Sequence, residues 1–541
     1  MVRRTAASAC MILALLIVST GSAILAQESN SRPKLAIVLV VDQMRADYLN
    51  RWSDMFSGGL RRLLDNGAVF TNAHHDHAAT VTATGHATIA TGVIPAKHGI
   101  VGNSFYDRNS GEAVGCVTDS STKIIGGAGG PGASPRWLMC PTIGDRLKQS
   151  SPGGRVFTAA LKDRAAILMG GKSPDGVFWY DKPSGDFVTS SYYSEVLPSW
   201  ADSFNNSGAK DIWKDSLWIE HQTAVDSEEH ADGPDMSAFS HVLSTESSAD
   251  DYYAKLYEMP FGDELLLKFG LDLIPSEHLG EDSIPDLLMI SLSAADLVGH
   301  AYGPDSREIR DYYLRLDSEL GMFLDSLDTW IGSDNYVLVL TSDHGVCPIP
   351  ELAVNNGLKG YQRLFAKSFQ MDVADILPAV FLDCSQTSAL LKPFYNGFVI
   401  DTAAAAKCGL SRSTVAAKAA NAIGVLDYVA NVFTMDQLSA DSISDQPYFR
   451  LFKNSFYPDR SPDLIVNFKE GVLLTSSGGG TSHGTPYHYD TDVPIVFCGK
   501  NIKPMTDNDS VRTVDIAPTL GALLNIPSQS EMDGKILPVI K

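Results

Sequence analysis

Leu35–Val41, LAIVLVV, is an uninterrupted apolar run that begins two residues after Pro33 and ends at Asp42. Such a run is typical of a strand that is buried on both faces of a parallel sheet. It therefore predicts an α/β protein and places Asp42 at the carboxyl end of a central strand. Because ligands of open α/β sheets collect at those ends, Asp42 is a candidate functional residue; the alternative is a helix cap.

The same design recurs twice further along the chain. Leu287–Leu292 runs into SAADLVGH, which contains Asp296 and His300, and Tyr336–Leu340 runs into TSDHG. All three apolar strands would therefore deliver acidic or histidine side chains to one edge of the sheet. This repetition predicts a functional site at that edge.

The segment between the last two strands shows helical spacing of apolar residues, which predicts an amphipathic crossover helix. These residues are Ile309, Tyr312, Leu316, Leu320, Phe323 and Leu327. Leu464–Phe468 and Val493–Phe497 predict further strands, and Val514–Leu524 a closing helix. The predicted fold is a three-layer α/β/α arrangement with a largely parallel central sheet.

Residues 27–541 are expected to form one catalytic domain with two inserted cap regions, at about 104–280 and 347–480, where the strand–helix alternation is interrupted. Ahead of it, Arg3 and Arg4, the apolar run Met11–Val18 and small residues before Gln27 predict a signal peptide over residues 1–26. The run is too short for a membrane anchor. We therefore expect a periplasmic or secreted protein with no stable membrane anchor.

The chain carries a net charge of −22, and loss of the signal peptide makes it more negative still. An acidic surface repels polyanions, so nucleic acid is not an expected partner. We expect a monomer that acts on small molecules. The six cysteines after Cys10 permit disulfides whose connectivity the sequence leaves open, and there is no CxxC pair to suggest a cysteine zinc site.

Three carboxylates and three imidazoles are candidate metal ligands. Asp296 and His300 are four residues apart and can face one ion, although this spacing alone is weak evidence. Asp343 and His344 follow a strand directly and can serve two cation positions or brace one. With Asp42 and His483, in GGGTSHGTPYHYD, they form a mixed oxygen and nitrogen set that suits Zn²⁺ better than Ca²⁺. The alternatives are a cap role for Asp296 and a core role for His344.

Thr80–Asn103, TVTATGHATIATGVIPAKHGIVGN, places three threonines before a small-residue helix. A hydroxyl beside metal ions can act as a nucleophile, and the start of a helix attracts phosphoryl oxygens. The spacing leaves Thr80, Thr82 and Thr84 open as the nucleophile.

Five motifs together resemble the alkaline phosphatase superfamily. They are T-x-x-x-H-x-x-x-x-TG…P-x-x-HGI-x-x-N, SxxDxxGHxxGP, TSDHG, TSHGTP and VDIAPTL, and they span nearly the whole chain after the signal. Within that superfamily the sequence is most similar to exported bacterial alkaline phosphatases that are specific for monoesters and carry a threonine nucleophile. The resemblance implies hydrolysis of phosphate monoesters through a phosphothreonine, with two Zn²⁺ ions per chain.

The resemblance also assigns the site residues. It implies that Thr82 is the nucleophile. It implies one zinc held by Asp42, Thr82, Asp343 and His344, and another held by Asp296, His300 and His483. It further implies that Asn103, Lys162 and Arg164 bind the phosphoryl oxygens, the last two in the LKDR that follows Val156–Ala160. Without the resemblance, the sequence fits equally well with Lys162 and Arg164 being charged side chains exposed to solvent.

Four other functions fit the sequence less well. A nucleotide pyrophosphatase/phosphodiesterase of the same superfamily would share the metals and the threonine, but it would lack the LKDR pair and line its pocket with apolar residues. A sulfatase needs a modified cysteine or serine in C/S-x-P-S/A-R, and none of Cys116, Cys140 and Cys347 has that context. A phosphoglycerate mutase relative is disfavoured by the export signal. An inactive metal- or phosphate-binding module is disfavoured by the complete ligand set.

Overall fold

The computed structural model describes residues 32–221, 239–243, 249–527 and 531–540. The predicted signal peptide lies outside these residues. A single large sheet organises the structure, and five of its strands, at the centre, run parallel. In order across the sheet, its strands are Met505–Asp507, Ala68–Phe70, Ile495–Gly499, Tyr336–Thr341, Leu35–Val41, Asp286–Leu292, Val156–Ala160, Gly176–Asp181, Asp186–Ser190, Thr118–Ile125 and Pro131–Ala133.

The central strand Leu35–Val41 is buried over its whole length, as its apolar run predicts. Leu35, Ile37, Leu39 and Val41 pack into one hydrophobic core, and the residues between them pack into another. Side chains alternate across a strand, so the two cores lie on opposite faces of the sheet. Helices cover both faces, and the predicted three-layer α/β/α fold with a largely parallel sheet is confirmed, with antiparallel strands at both edges.

The crossover helix is confirmed as Arg307–Trp330, and its predicted apolar residues are buried against the sheet. The helices beside it on this face are Tyr48–Arg51, Gly59–Asn66, Pro260–Ser276 and Ala294–Tyr302. The opposite face carries Thr82–Thr91, Ile143–Ser150 and Ile516–Leu523. The last of these is the predicted closing helix, preceded by a 3₁₀ turn, Thr513–Asp515.

A smaller antiparallel sheet, here called the cap sheet, has its own hydrophobic core. Its strands in order are Leu391–Phe394, Gly397–Ile400, Leu464–Phe468 and Val429–Thr434. The helices Ala366–Val380, Thr402–Lys407 and Arg412–Ile423 pack against it. A disulfide joins Cys384 to Cys408 within this unit. The predicted strand Leu464–Phe468 is therefore present, but it belongs to the cap sheet.

The first predicted insertion, about 104–280, also contributes to the central sheet. Val156–Ala160 pairs with both Asp286–Leu292 and Gly176–Asp181. The boundaries of the two cap regions remain a prediction. Among the described residues, none of the helices combines the length and apolar character needed to cross a bilayer.

Candidate metal centre

The carboxyl ends of three parallel strands bring the predicted acidic residues together. Val40 lies in register with Ser291 on one neighbouring strand and with Thr341 on the other. Asp42 and Asp343 each follow their strands by one or two residues, and Asp296 lies in the first turn of the helix Ala294–Tyr302. All three carboxylates are buried. The edge of the sheet predicted from the apolar runs is thus where the side chains meet.

One group of candidate ligands consists of Asp296, His300 and His483. Asp296 Oδ1 is 3.1 Å from His300 Nε2 and 3.6 Å from His483 Nε2. His300 reaches this carboxylate from the next turn of the same helix, as the four-residue spacing allows. This group contains the same residues as the second predicted zinc set.

A second group consists of Asp42, Asp296 and His344. His344 Nε2 lies 3.5 Å from Asp42 Oδ1 and 3.5 Å from Asp343 Oδ2. Three members of the first predicted zinc set are therefore adjacent. Asp296 belongs to both groups, which places one carboxylate between two neighbouring cation positions.

The three imidazoles present the same nitrogen to the carboxylates. In each ring, Nδ1 faces a backbone carbonyl: Thr481 O for His300 at 2.8 Å, Gly345 O for His344 at 2.9 Å and Thr80 O for His483 at 2.7 Å. A carbonyl only accepts, so in each ring Nδ1 donates a hydrogen bond to it, which leaves Nε2 as the nitrogen turned toward the carboxylates. Metal-binding histidines are commonly oriented in this way.

The three buried carboxylates carry more negative charge than the one lysine between them can balance. Lys162 Nζ lies 2.6 Å from Asp42 Oδ2 and 2.6 Å from Asp296 Oδ2. Burial and repulsion from Asp343 raise the pKa of Asp42 well above its usual value. Burial also opposes ionisation of Asp296 and Asp343, but neighbouring histidines and Lys162 lower the pKa of both below its usual value. Divalent cations would relieve this repulsion.

Two buried atoms fit the same interpretation. Asp42 Oδ1 and His344 Nε2 have no hydrogen-bond partner in the described part of the chain. A buried polar atom without a partner is costly, and these two face each other across 3.5 Å. Oxygen and imidazole ligands of this kind suit Zn²⁺, so the residues present fit a metal centre with two cation positions.

Thr82 begins the helix Thr82–Thr91, and its Oγ1 lies 3.4 Å from Lys162 Nζ. Gly85 lets this helix approach the candidate ligand Asp343, because a Cβ at Gly85 would lie 2.2 Å from Asp343 O. Thr80 Oγ1 instead donates to Thr485 O at 2.9 Å. Of these two threonines, Thr82 is therefore the one whose hydroxyl lies among the candidate ligands.

Asn103 and Arg164 each carry a donor that makes no hydrogen bond within the described part of the chain. Asn103 Oδ1 accepts from Ala83 N at 3.0 Å, so its Nδ2 remains as a donor beside the start of the helix. Arg164 Nε is buried without a hydrogen-bond partner among the described residues. The Nη1 atom of Arg164 lies 3.9 Å from Asp163 Oδ1. Lys162, by contrast, is engaged by two carboxylates.

Two residues at the site were not identified from the sequence. Gln43 donates through its backbone to Asp343 Oδ1 at 3.1 Å and through Nε2 to Asp296 Oδ1 at 2.5 Å. The Nδ1 atom of His86 lies 3.2 Å from Asp343 Oδ2, and its Nε2 atom lies 2.7 Å from Ser291 Oγ. The sequence feature that could have identified Gln43 as a site residue is its position directly after Asp42 at the end of a strand. His75, in the sequence His74-His75-Asp76-His77, has a hydrogen-bond partner for each ring nitrogen, Ser342 O for Nε2 and Thr513 Oγ1 for Nδ1.

Asp263 caps the helix that carries Asp296 and His300. Its carboxylate accepts from Ser293 N at 2.8 Å, from Ala294 N at 2.9 Å and from the Tyr312 hydroxyl at 2.7 Å. Ser293, at the N-cap position, makes no side-chain cap of its own. Asp263 therefore supplies the cap from a distant helix and fixes where the helix that carries the two candidate ligands begins.

We expect Asp263→Ala to lower the free energy of unfolding by about 3 kcal/mol, because two buried N–H groups lose their acceptor. Zinc affinity should fall with it, whereas Asp272→Ala, an exposed change on the same helix, should alter neither. Burial raises the pKa of Asp263 from 3.8 to about 7, so the folded protein holds this proton more tightly than the unfolded chain does. The free energy of unfolding should therefore fall as the pH rises from 3.8 to about 7. Urea unfolding at several pH values measures this, and an unchanged stability and zinc affinity in Asp263→Ala would refute the capping role.

Comparison with known proteins gives a consistent result. The sequence pattern of the family described as type I phosphodiesterase/nucleotide pyrophosphatase matches residues 36–490. The chain is 33% identical over 551 residues to the alkaline phosphatase PhoV of Synechococcus elongatus, covering 98% of each. It is 34% identical over 536 residues to the alkaline phosphatase PafA of Elizabethkingia meningoseptica, covering 94% of this chain and 95% of that one.

Solved structures agree with the sequence matches. The crystal structure of wild-type PafA aligns with a TM-score of 0.83 at 30% identity, covering 94% of this chain and 99% of that one. Murine ectonucleotide pyrophosphatase/phosphodiesterase 5 aligns with a TM-score of 0.53 at 15% identity, which shows a common fold alone. The chain therefore belongs to the alkaline phosphatase superfamily. Within it, the similarity over nearly the full length places the chain with the alkaline phosphatases of the PafA and PhoV type.

Proposed function

We propose that this protein is an exported alkaline phosphatase that hydrolyses phosphate monoesters through a phosphothreonine at a two-zinc site. The observation that carries the proposal is the position of Thr82 Oγ1, which lies 3.4 Å from a lysine that bridges Asp42 and Asp296. The hydroxyl proposed as the nucleophile thus lies beside the lysine that bridges two buried carboxylates, and this closeness supports the proposal. Two zinc ions, when bound, would stabilise the alkoxide, the leaving oxygen and the attacking water.

In the first step, Thr82 Oγ attacks phosphorus while the bond from phosphorus to the alcohol oxygen breaks. The Thr82 hydroxyl proton passes to solvent, and the alcohol oxygen takes up a proton from solvent as it leaves. Asn103 Nδ2 and the start of the helix Thr82–Thr91 hold non-bridging oxygens during this transfer. Thr82 and Asn103 are coupled, because Ala83 N, the next residue in the helix, donates to Asn103 Oδ1.

In the second step, a water oxygen attacks the phosphothreonine and the bond from Thr82 Oγ to phosphorus breaks. Inorganic phosphate leaves and the hydroxyl is restored, so one water is consumed per turnover. The alcohol departs on the side of Asp296, His300 and His483, and the water attacks from that same side. Arg164 retains the phosphoryl group between the two steps, together with Lys162 once bound cations balance the charge of Asp42 and Asp296 in its place.

Lys162 and Arg164 also support the choice of a monoester over a diester. A monoester presents three non-bridging oxygens, and a diester carries a second substituent on one of them. Cations placed to meet the third oxygen would be left without a partner by a diester. Hydrolysis of phosphodiesters is the second candidate function, because the matching family pattern is described by that activity.

We expect Lys162→Ala and Arg164→Ala to lower kcat/KM for 4-nitrophenyl phosphate by at least about tenfold each, since a charge-assisted contact contributes about 1.5 to 3 kcal/mol. The rate with bis(4-nitrophenyl) phosphate should change much less. Lys172→Ala, an exposed change in the same region, is the matched control. Equal losses with both substrates would contradict the monoester assignment, and a wild-type preference for the diester would favour the second candidate.

A further inference from the structure

A cavity of about 540 Å³ extends from the candidate metal centre into the space beneath the cap sheet. At one end its wall contains Asn103, His300 and His483. Its volume falls in the range of pockets that enclose most of a small organic ligand. The cavity is thus continuous with the place where, in the proposed mechanism, the alcohol leaves.

The chemistry of the wall limits what it can bind. Among the described residues that line the cavity there is no Asp, Glu or Lys. The Arg460 guanidinium is already engaged by Gly99 O and Trp137 O. Much of the remaining wall is aliphatic and aromatic, and it includes Leu473 and Leu474. In a chain of net charge −22, a wall without carboxylates stands out, and it suits an uncharged apolar group.

The roof of the cavity is the turn between two cap strands, Leu391–Phe394 and Gly397–Ile400. Tyr395 sits at this turn with φ of 51°, and it is 57% exposed. Its hydroxyl accepts from Ser104 N at 3.1 Å and lies 2.6 Å from Ser104 Oγ. Ser104 follows Asn103, so this contact ties the roof directly to a proposed phosphoryl donor.

We propose that this cavity binds the alcohol part of the substrate, and that this part is uncharged and apolar or aromatic. Tyr395 is the residue that closes the cavity and sets how well a bulky alcohol is held. The inference rests on the proposed monoesterase activity and names the substrate class of that same site. It requires that a phosphoryl group held by Asn103 projects its alcohol past His300 and His483, where the cavity begins.

A comparison of two monoesters of primary alcohols distinguishes binding of the alcohol in the cavity from binding of the phosphoryl group. In 1-naphthylmethyl phosphate the alcohol would occupy the cavity, whereas in ethyl phosphate it would leave the cavity nearly empty. The measurement is kcat/KM for both substrates at saturating zinc, expressed as the ratio of the first to the second. Dividing each variant's ratio by the wild-type ratio cancels the difference in intrinsic reactivity.

Leu474→Trp fills the cavity from a partly buried wall position, and Tyr395→Ala opens the roof. We expect the first to lower the ratio at least about tenfold and the second at least about threefold, since apolar pocket contacts discriminate by such factors. Tyr395→Phe keeps the ring and should lower it less. Leu382→Ala is the control, an 83% exposed residue of the same cap that does not line the cavity.

A ratio within about twofold of wild type in both Leu474→Trp and Tyr395→Ala would overturn the inference. If ethyl phosphate is still hydrolysed in that case, the proposed monoesterase function survives and only the alcohol site is wrong. Failure of the wild-type protein to hydrolyse either substrate would instead refute the proposed function itself.

Discussion

Thr82→Ala is expected to lower kcat/KM for 4-nitrophenyl phosphate by at least about 10³-fold, because loss of a covalent nucleophile removes the whole first step. Thr82 is almost fully buried and lies beside Lys162, so the change leaves a small gap and no new charge. Steady-state rates measured on metal-loaded protein test this. Thermal unfolding of the same sample shows whether the variant is folded.

Two matched controls lie on either side of Thr82 in the chain. Thr80→Ala removes a hydroxyl that bonds to Thr485 O, and Thr84→Ala removes a buried hydroxyl without a partner among the described residues. Both should retain much more activity than Thr82→Ala. A fully active Thr82→Ala protein would contradict the mechanism and return the nucleophile to the other two. Acid quenching with labelled substrate should recover phosphothreonine from the wild-type chain but not from Thr82→Ala.

Removal of metal is the second change expected to have a very large effect. We expect incubation with EDTA to reduce phosphomonoester hydrolysis by at least about 10³-fold and added zinc to restore it. The physical reason is that Asp42, Asp296 and Asp343 form a buried group of carboxylates with one lysine among them. Without divalent cations, neither an alkoxide nor a phosphoryl dianion can be stabilised beside them.

A pair of histidine variants separates this effect from general damage by the chelator. His300→Ala removes a ring whose Nε2 lies 3.1 Å from Asp296 Oδ1, and it should weaken zinc binding and activity together. His488→Ala removes a ring that is 86% exposed and should change neither. Full activity of the wild-type protein in EDTA, after metal analysis confirms that zinc is absent, would contradict the two-zinc proposal.

The strand ends were the part of the site that could be predicted from sequence alone. Leu35–Val41 and its two counterparts are buried on both faces, so their apolar runs are continuous and the acids that follow them are easy to locate. Parallel strands share one carboxyl edge, and that rule brought Asp42, Asp296 and Asp343 together without any further information. The choice of Thr82 over Thr80 needed the family resemblance.

The supporting residues could not be predicted, because their partners are distant in the chain. Asp263 lies in the first turn of its own helix, and its sequence context does not indicate that it caps another helix whose N-cap, Ser293, is thirty residues away. The contact between Tyr395 and Ser104 spans 291 residues and depends on how the cap sheet packs. Leu464–Phe468 reads as a strand in sequence, but its sheet is decided by pairing with Val429–Thr434, which periodicity does not specify.

The central claim is that two cation positions flank the Thr82 hydroxyl. Anomalous diffraction at the zinc edge, on crystals of the zinc-loaded protein, tests it most directly. The account predicts two peaks per chain, one among Asp42, Asp343 and His344 and the other among Asp296, His300 and His483. A single peak, or two peaks away from these side chains, would contradict it.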